Sequence, residues 1–283
     1  MRLTYPDQNA LVALGRKARN PEFRKKLDAL LDSVSPTIVV SSWHLIETAN
    51  TPKLENAIEL AEFIDSLRPI WLLERRDIQR LDVEEDFCRF LRLECPTRPR
   101  VTTRSAVFAA LNNQKDAPKF DIPSRDFVRQ WIEDPEQLRV LERVYRNNAE
   151  TLPRLRELKK DGKLTEEVRQ RVNEILVAAS LPETTPAGLH VGRELKMDYA
   201  RQAKIDAVPT LAIESAISEH EWVSQGGTDR NTLIDKFHLI SALPYVDEIV
   251  SDDKFFRKIY PVAQSTGHVR AKLLGNSEFL SRF

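Results

Sequence analysis

Two carboxylates near the end of the chain, Asp235 and Asp253, are placed where they could act on one ligand. Leu233, Ile234, Phe237, Ile240 and Leu243 recur at helical spacing, which predicts a helix over about Asn231 to Leu243 that carries Asp235. Pro244 cannot continue that helix, so Pro244-Tyr-Val-Asp247 reads as a turn. Glu248-Ile-Val-Ser251 is a short apolar run suited to one buried strand, and Asp252 and Asp253 follow where it ends. One acid therefore lies on a helix and another at the carboxyl end of the next strand, the edge at which open α/β sheets bind ligands. Carboxylates gathered at such an edge repel one another and favour a divalent cation. All-oxygen ligation selects Mg²⁺ or Mn²⁺ over zinc.

The first half of the chain supplies elements that could bring further acids to the same edge. Leu3-Thr-Tyr5 is strand-like, Pro6-Asp7-Gln-Asn9 follows it, and Leu11, Val12 and Leu14 predict a helix leaving that turn. Taken alone, Asp7 reads first as a helix cap. Asn20-Pro21-Glu22 is a well-formed helix start. Thr37-Ile-Val-Val40 is β-branched and apolar, a buried strand, and Ser41 or Ser42 can cap a helix with Glu47 on its second turn. By itself Glu47 is an ordinary helix glutamate. Thr51-Pro52 opens a helix whose Leu54, Ala57, Ile58, Ala61, Ile64 and Leu67 keep a 3.6-residue period, and Ile70-Trp-Leu-Leu73 supplies a third strand.

An Asp on a helix, a small residue (Ala242) further along, a turn, and a strand ending Val-Ser-Asp-Asp together resemble the C-terminal half of a PIN domain. The strand-terminal Asp7 with Asn9, and Glu47 on the helix after the second strand, match that family's first two acids in chain order. The resemblance implies a three-layer α/β fold with a central parallel sheet of about four to five strands. It implies a metal-dependent endoribonuclease in which Asp7, Glu47, Asp235 and Asp253 form a Mg²⁺ or Mn²⁺ site that hydrolyses phosphodiester bonds of RNA. Asp252 is a substitute for Asp253, and Asn9, Ser251 and Asp252 would orient the ligands. The alternative is a PIN-like module that has lost its metal and only binds nucleic acid or protein. Single-stranded DNA as substrate, a homodimer, and a small antitoxin-like protein partner are further implications of the family. Pro6 before the first acid is a departure from its pattern.

The larger departure is length. About 160 residues separate the third strand from Asp235, and from Val83 to Ser224 the periodicity is mostly helical. Residues 1–82 and 226–283 are therefore expected to form a discontinuous α/β core, with 83–225 a helical insertion, either a lid or a separate domain. Caps at Asp134 and Thr165 mark helix starts within it, and Val208, Leu211, Ala212 and Ile217 mark one more helix. Arg98, Arg100, Arg104, Lys115 and Lys119 stand against the single acid Asp116 and offer a phosphate-binding patch. Arg139, Arg143 and Arg146 alternate with Glu136, Glu142 and Glu150 and read as a solvated helix face.

With 283 residues, 41 % hydrophobic and 30 % charged, the chain has an ordinary globular composition. Its formal net charge is zero, so binding to an acidic polymer would have to be local. Cys88 and Cys95 are too few for a disulfide framework, and no signal-like or bilayer-length apolar run is present, which favours a cytoplasmic protein without a membrane. His44 with Glu47 and Asp235 with His238 are i,i+3 pairs. The first runs opposite to the Glu-x-x-His order of helical di-iron sites, so both histidines are expected to complete hydrogen bonds rather than bind iron.

Overall fold

The computed structural model describes residues 2–33, 37–95, 97–111, 121–181, 183–184, 190–203, 205–223 and 230–283. Six short strands form one sheet: β1 (Leu3–Pro6), β2 (Thr37–Val40), β3 (Ile70–Leu72), β4 (Val101–Thr102), β5 (Glu248–Val250) and β6 (Lys272–Leu274). Their spatial order is β4-β3-β2-β1-β5-β6. All neighbours are parallel except β4, which runs antiparallel to β3. The strands expected at Leu3, Thr37, Ile70 and Glu248 are thus present. The edge strands β4 and β6 are additional to these, and β4, with two residues, is too short to show the two-residue alternation that identifies a strand in sequence.

Fourteen helices accompany the sheet among the described residues. They are α1 (Gln8–Ala18), α2 (Pro21–Asp32), α3 (Ser42–Ala49), α4 (Leu54–Ser66), α5 (Arg75–Phe90), α6 (Arg104–Leu111) and α7 (Ser124–Glu133). The remainder are α8 (Pro135–Lys160), α9 (Glu166–Ser180), α10 (Arg193–Gln202), α11 (Pro209–Val223), α12 (Arg230–Ala242), α13 (Lys254–Gln264) and α14 (Asn276–Leu280). The predicted caps act as expected: Asn20 accepts from the Glu22 and Phe23 amides, Asp134 from Glu136, and Thr165 from Val168. The helix expected to open at Thr51-Pro52 starts instead at Leu54, with Lys53 as its cap, after a turn in which the Thr51 amide donates to the Thr48 carbonyl.

Strand alternation divides the core into two layers on either side of the sheet. Ile38, Val40, Trp71 and Val250 face one side, against α1 to α4, α6 and α7. Tyr5, Val39, Leu72 and Ile249 face the other, against α5, α11, α12 and α13. Residues 83–225 are woven into this frame. They supply β4, and Phe108 on α6 meets Trp71 edge-on at 5.5 Å and stacks on Phe127 of α7 at 4.6 Å. Ile213 and Ile217 of α11 lie in the second layer. Helix α5 crosses the expected boundary at residue 82. Ile78 sits in the sheet core, while Val83 and Phe87 join a third cluster with Val177, Tyr199 and Val208. That third cluster is where α9 and α10 gather, the part of the span that stands away from the sheet.

The expected phosphate patch is corrected by this packing. Arg100 is buried and bonds Asp82 at 2.8 Å and Glu85 at 2.7 Å. Asp82 also accepts from the Thr210 hydroxyl at 2.7 Å and from the Tyr245 hydroxyl. This network ties α5, the approach to β4, α11 and the turn after α12. Arg98 pairs with Glu84, and Arg104 bridges Asp65 and Asp121. Each of these guanidinium groups is paired with carboxylates of this chain, and the buried Arg100 is structural. Lys115, Asp116 and Lys119 lie outside the described residues. No helix among the described residues is long and apolar enough to cross a membrane.

The Arg100→Ala variant strands Asp82 in the interior. It should destabilise the fold by about 3–5 kcal/mol in urea unfolding, as loss of one member of a buried ion pair does. A loss within 0.5 kcal/mol, the usual range for a surface residue, would contradict the structural role.

Candidate functional site

Four of the parallel strands end at one edge of the sheet, and each is followed within two residues by a polar residue. Asp7 follows β1, Ser41 and Ser42 follow β2, Glu74 stands two residues after β3, and Ser251 follows β5. Register aligns them: Pro6 pairs with Val250, and the Asp7 amide donates to the Val250 carbonyl at 2.9 Å. Asp7 and Ser251 are therefore neighbours, and both are buried.

Asp7 caps α1, its Oδ1 accepting from the Ala10 amide at 2.7 Å. Burial pushes its carboxyl up to about 6. The Ser251 hydroxyl, the Ala10 amide and His238 pull it down, and the Glu47 charge pushes it up. The capping and site readings of Asp7 thus describe one carboxyl with both environments.

Glu47 is not a cap. It projects from the second turn of α3, and its Oε2 accepts from His238 Nε2 at 3.0 Å. The other His238 nitrogen, Nδ1, makes a short bond with the Tyr5 hydroxyl, which lies 2.8 Å from Ser41 Oγ. Burial holds the Tyr5 phenol protonated, well above its ordinary range. With a neutral imidazole the chain has one sense: Ser41 donates to Tyr5, Tyr5 to Nδ1, and Nε2 to the Glu47 carboxylate.

His44 is spent in a different way. Its Nδ1 accepts from the Ser41 amide at 2.9 Å and its Nε2 donates to the Pro6 carbonyl at 2.8 Å. Those partners hold it as the neutral Nε2–H tautomer, and burial lowers its pKa to about 3. Both nitrogens are occupied, which removes His44 as a metal ligand and agrees with the expectation that the histidines complete hydrogen bonds. The i,i+3 spacing pointed to His44 as the companion of Glu47, whereas the bonded histidine comes from α12.

The remaining acids are distributed around this centre. Asp253 caps α13 through the Phe255 amide at 2.6 Å, and its own amide donates to Ser251 Oγ at 3.0 Å. Asp252 is exposed, pairs with Arg257 at 2.7 Å and accepts from the Asn276 amide at 3.2 Å. Asp235 is partly buried on α12, one turn before His238, and Asn9 is exposed on the first turn of α1. The structure thus brings Asp7, Glu47 and Ser251 together around His238, links Asp253 through Ser251, and turns Asp252 toward α14.

Sequence reasoning missed Tyr5 and Glu74. Glu74 accepts from the Ser42 hydroxyl. Burial raises its carboxyl to about 7, with Asp77 adding to the rise and Ser42 and His238 opposing it. The signal was present: Glu74 follows an apolar strand by the same rule that singled out Asp7 and Asp253.

Carboxylate oxygens are hard donors suited to Mg²⁺ or Mn²⁺, and a cation beside Asp7 would relieve both its desolvation and its repulsion by Glu47. In chemistry the donor set fits such an ion. Among the described residues, however, no three of His, Cys, Asp and Glu stand together as a metal-holding group. No family model matches the chain, and comparison with curated proteins and with solved structures returns no match.

Glu74 holds its proton more tightly folded than unfolded, so raising the pH from about 5 to about 8 removes that proton at a cost to the folded state. The stability of Glu74→Gln relative to the parent should therefore increase over that range, read from urea midpoints at each pH. A constant gap would mean that Glu74 is not held in a desolvated site.

Proposed function

We propose that this chain is a PIN-like, metal-dependent endoribonuclease that hydrolyses phosphodiester bonds of single-stranded or structured RNA. The observation that carries the reading is Glu47. Helix capping accounts for Asp7 and Asp253, but it does not account for a glutamate on the second turn of α3 oriented by a buried histidine beside Asp7. The parallel sheet, with acids at its carboxyl edge in the chain order noted above, supports the same reading.

In this proposal Asp7, Asp235 and Asp253 hold Mg²⁺ or Mn²⁺, directly or through water, and Glu47 either helps hold it or positions the attacking water. The ion, when bound, lowers the pKa of its water and offsets charge on the phosphoryl oxygen. The chain's own residues do the rest. Ser251 donates to Asp7 and fixes its orientation. His238 keeps Glu47 in one rotamer and directs its carboxylate. Asn9 and Asp252, at the rim, are positioned for outer contacts only. Water adds to phosphorus and the 3′ oxygen leaves, giving a 5′-phosphate and a 3′-hydroxyl. A homodimer or a small antitoxin-like protein are the partners this reading suggests.

The second reading is a PIN-like binding module without metal chemistry. It is favoured by the hydrogen bond that engages Glu47 with His238 within the protein.

Cleavage of labelled single-stranded RNA in Mn²⁺ should be lost with EDTA and in Asp235→Asn, with the circular dichroism of that variant unchanged. Mn²⁺ should also raise the melting temperature of the parent, since an ion that binds only the folded state stabilises it. Cleavage that survives Asp235→Asn would reject the assignment. Failure of both cleavage and Mn²⁺ stabilisation would leave the binding module.

A further inference from the structure

One residue beyond Glu74 the chain leaves the acid cluster and reaches a cavity. Arg75 opens α5, stacks its guanidinium on the Phe237 ring at 4.7 Å, and lines a space of about 330 Å³ between α5, α8, α9 and α11. Phe237 stands between Lys236 and His238 on α12, and its ring lies 4.9 Å from that of Trp43 on α3, beside His44. Of these residues Arg75 lines the cavity, and through the Phe237 and Trp43 rings it adjoins residues of the cluster on α12 and α3. The far end repeats the motif, with the Arg169 guanidinium 6.0 Å above the Trp222 ring.

The lining has a definite chemical preference. Arg75 is neutralised by Glu214 at 2.7 Å and Arg169 by Glu219 at 2.6 Å, so neither offers an unpaired charge to a phosphate. Leu155, Val177 and Leu211 make apolar walls, while Asn173, Ser215 and Gln79 present amide and hydroxyl groups that both donate and accept. A flat, neutral ring with donors and acceptors along its edge matches such a lining. Unpaired nucleobases are read in this way, by stacking on aromatic and guanidinium faces and by hydrogen bonds to the edge.

We propose that this cavity is a nucleobase pocket, which takes one unpaired base of a single strand whose backbone runs past the acid cluster over Arg75 and Phe237. The proposal rests on the nuclease reading for the identity of the polymer, and it adds a preference for unpaired over duplex substrate. The base is held between α5 and helices α8, α9 and α11 of the 83–225 span, which gives that span a role in selecting substrate.

The test is binding in EDTA, where hydrolysis does not enter. A single-stranded oligoribonucleotide of about seven nucleotides is made with an abasic residue at each position in turn, and its affinity is measured by fluorescence anisotropy. One abasic position should weaken binding about tenfold, within the range for loss of one stacked base. Ser215→Phe fills the cavity and should weaken the intact strand by a similar factor while abolishing the position dependence. Equal affinity for every abasic strand, no binding of the intact strand, or a position dependence that persists in Ser215→Phe would each overturn the pocket. The abasic scan on the parent protein decides the matter even if Ser215→Phe does not fold. Position-dependent binding without cleavage in Mn²⁺ would end the nuclease reading and keep the pocket.

Discussion

The carboxyl edge of the parallel sheet is a place where helix N-termini converge, and the polar chemistry there follows from that constraint. Helices α1, α3, α5 and α13 each begin just after a parallel strand, with Asp7, Ser41, Glu74 and Asp253 in the residue before them. Every helix start leaves amides without intrahelical partners and carries a partial positive charge. Bringing four such starts together favours oxygen acceptors and negative charge at one edge. Burial opposes that charge, and the balance raises the Asp7 carboxyl to about 6 and the Glu74 carboxyl to about 7. The edge is thereby receptive to a cation and costly to leave fully ionised.

Capping explains why acids are there but not how they are aimed. The line from Ser41 through Tyr5 and His238 to Glu47 joins β2, β1, α12 and α3 by side chains alone. His44 supports it from beneath, its ring 4.8 Å from both Tyr5 and His238. A buried, fully bonded network of this kind fixes rotamers, because any member that turned away would strand its partner in a desolvated site. It sets the direction of Glu47, an acid that no helix start requires.

The long span between β3 and α12 is tied to the same frame from two sides. Stacked aromatics fasten α6 and α7 to one layer, and the Asp82–Arg100 network fastens α5, α11 and the turn at Tyr245 to the other. Arg100, which suits phosphate when read along the chain, is consumed in one of these ties. A cationic run in sequence carries no information about the carboxylates that will meet it.

Local chemistry sufficed for what depends on near neighbours. The apolar runs of β1, β2, β3 and β5, the caps at Asn20, Asp134 and Thr165, and the placing of Asp7, Glu47 and Asp253 beside strand ends all follow from residues within a few positions of one another. The short edge strands, the pairing of Glu47 with His238 across 191 positions, and the burial of Arg100 do not. Their partners come from distant parts of the chain, and only packing of both layers onto the sheet determines which polar groups lose water and must find each other.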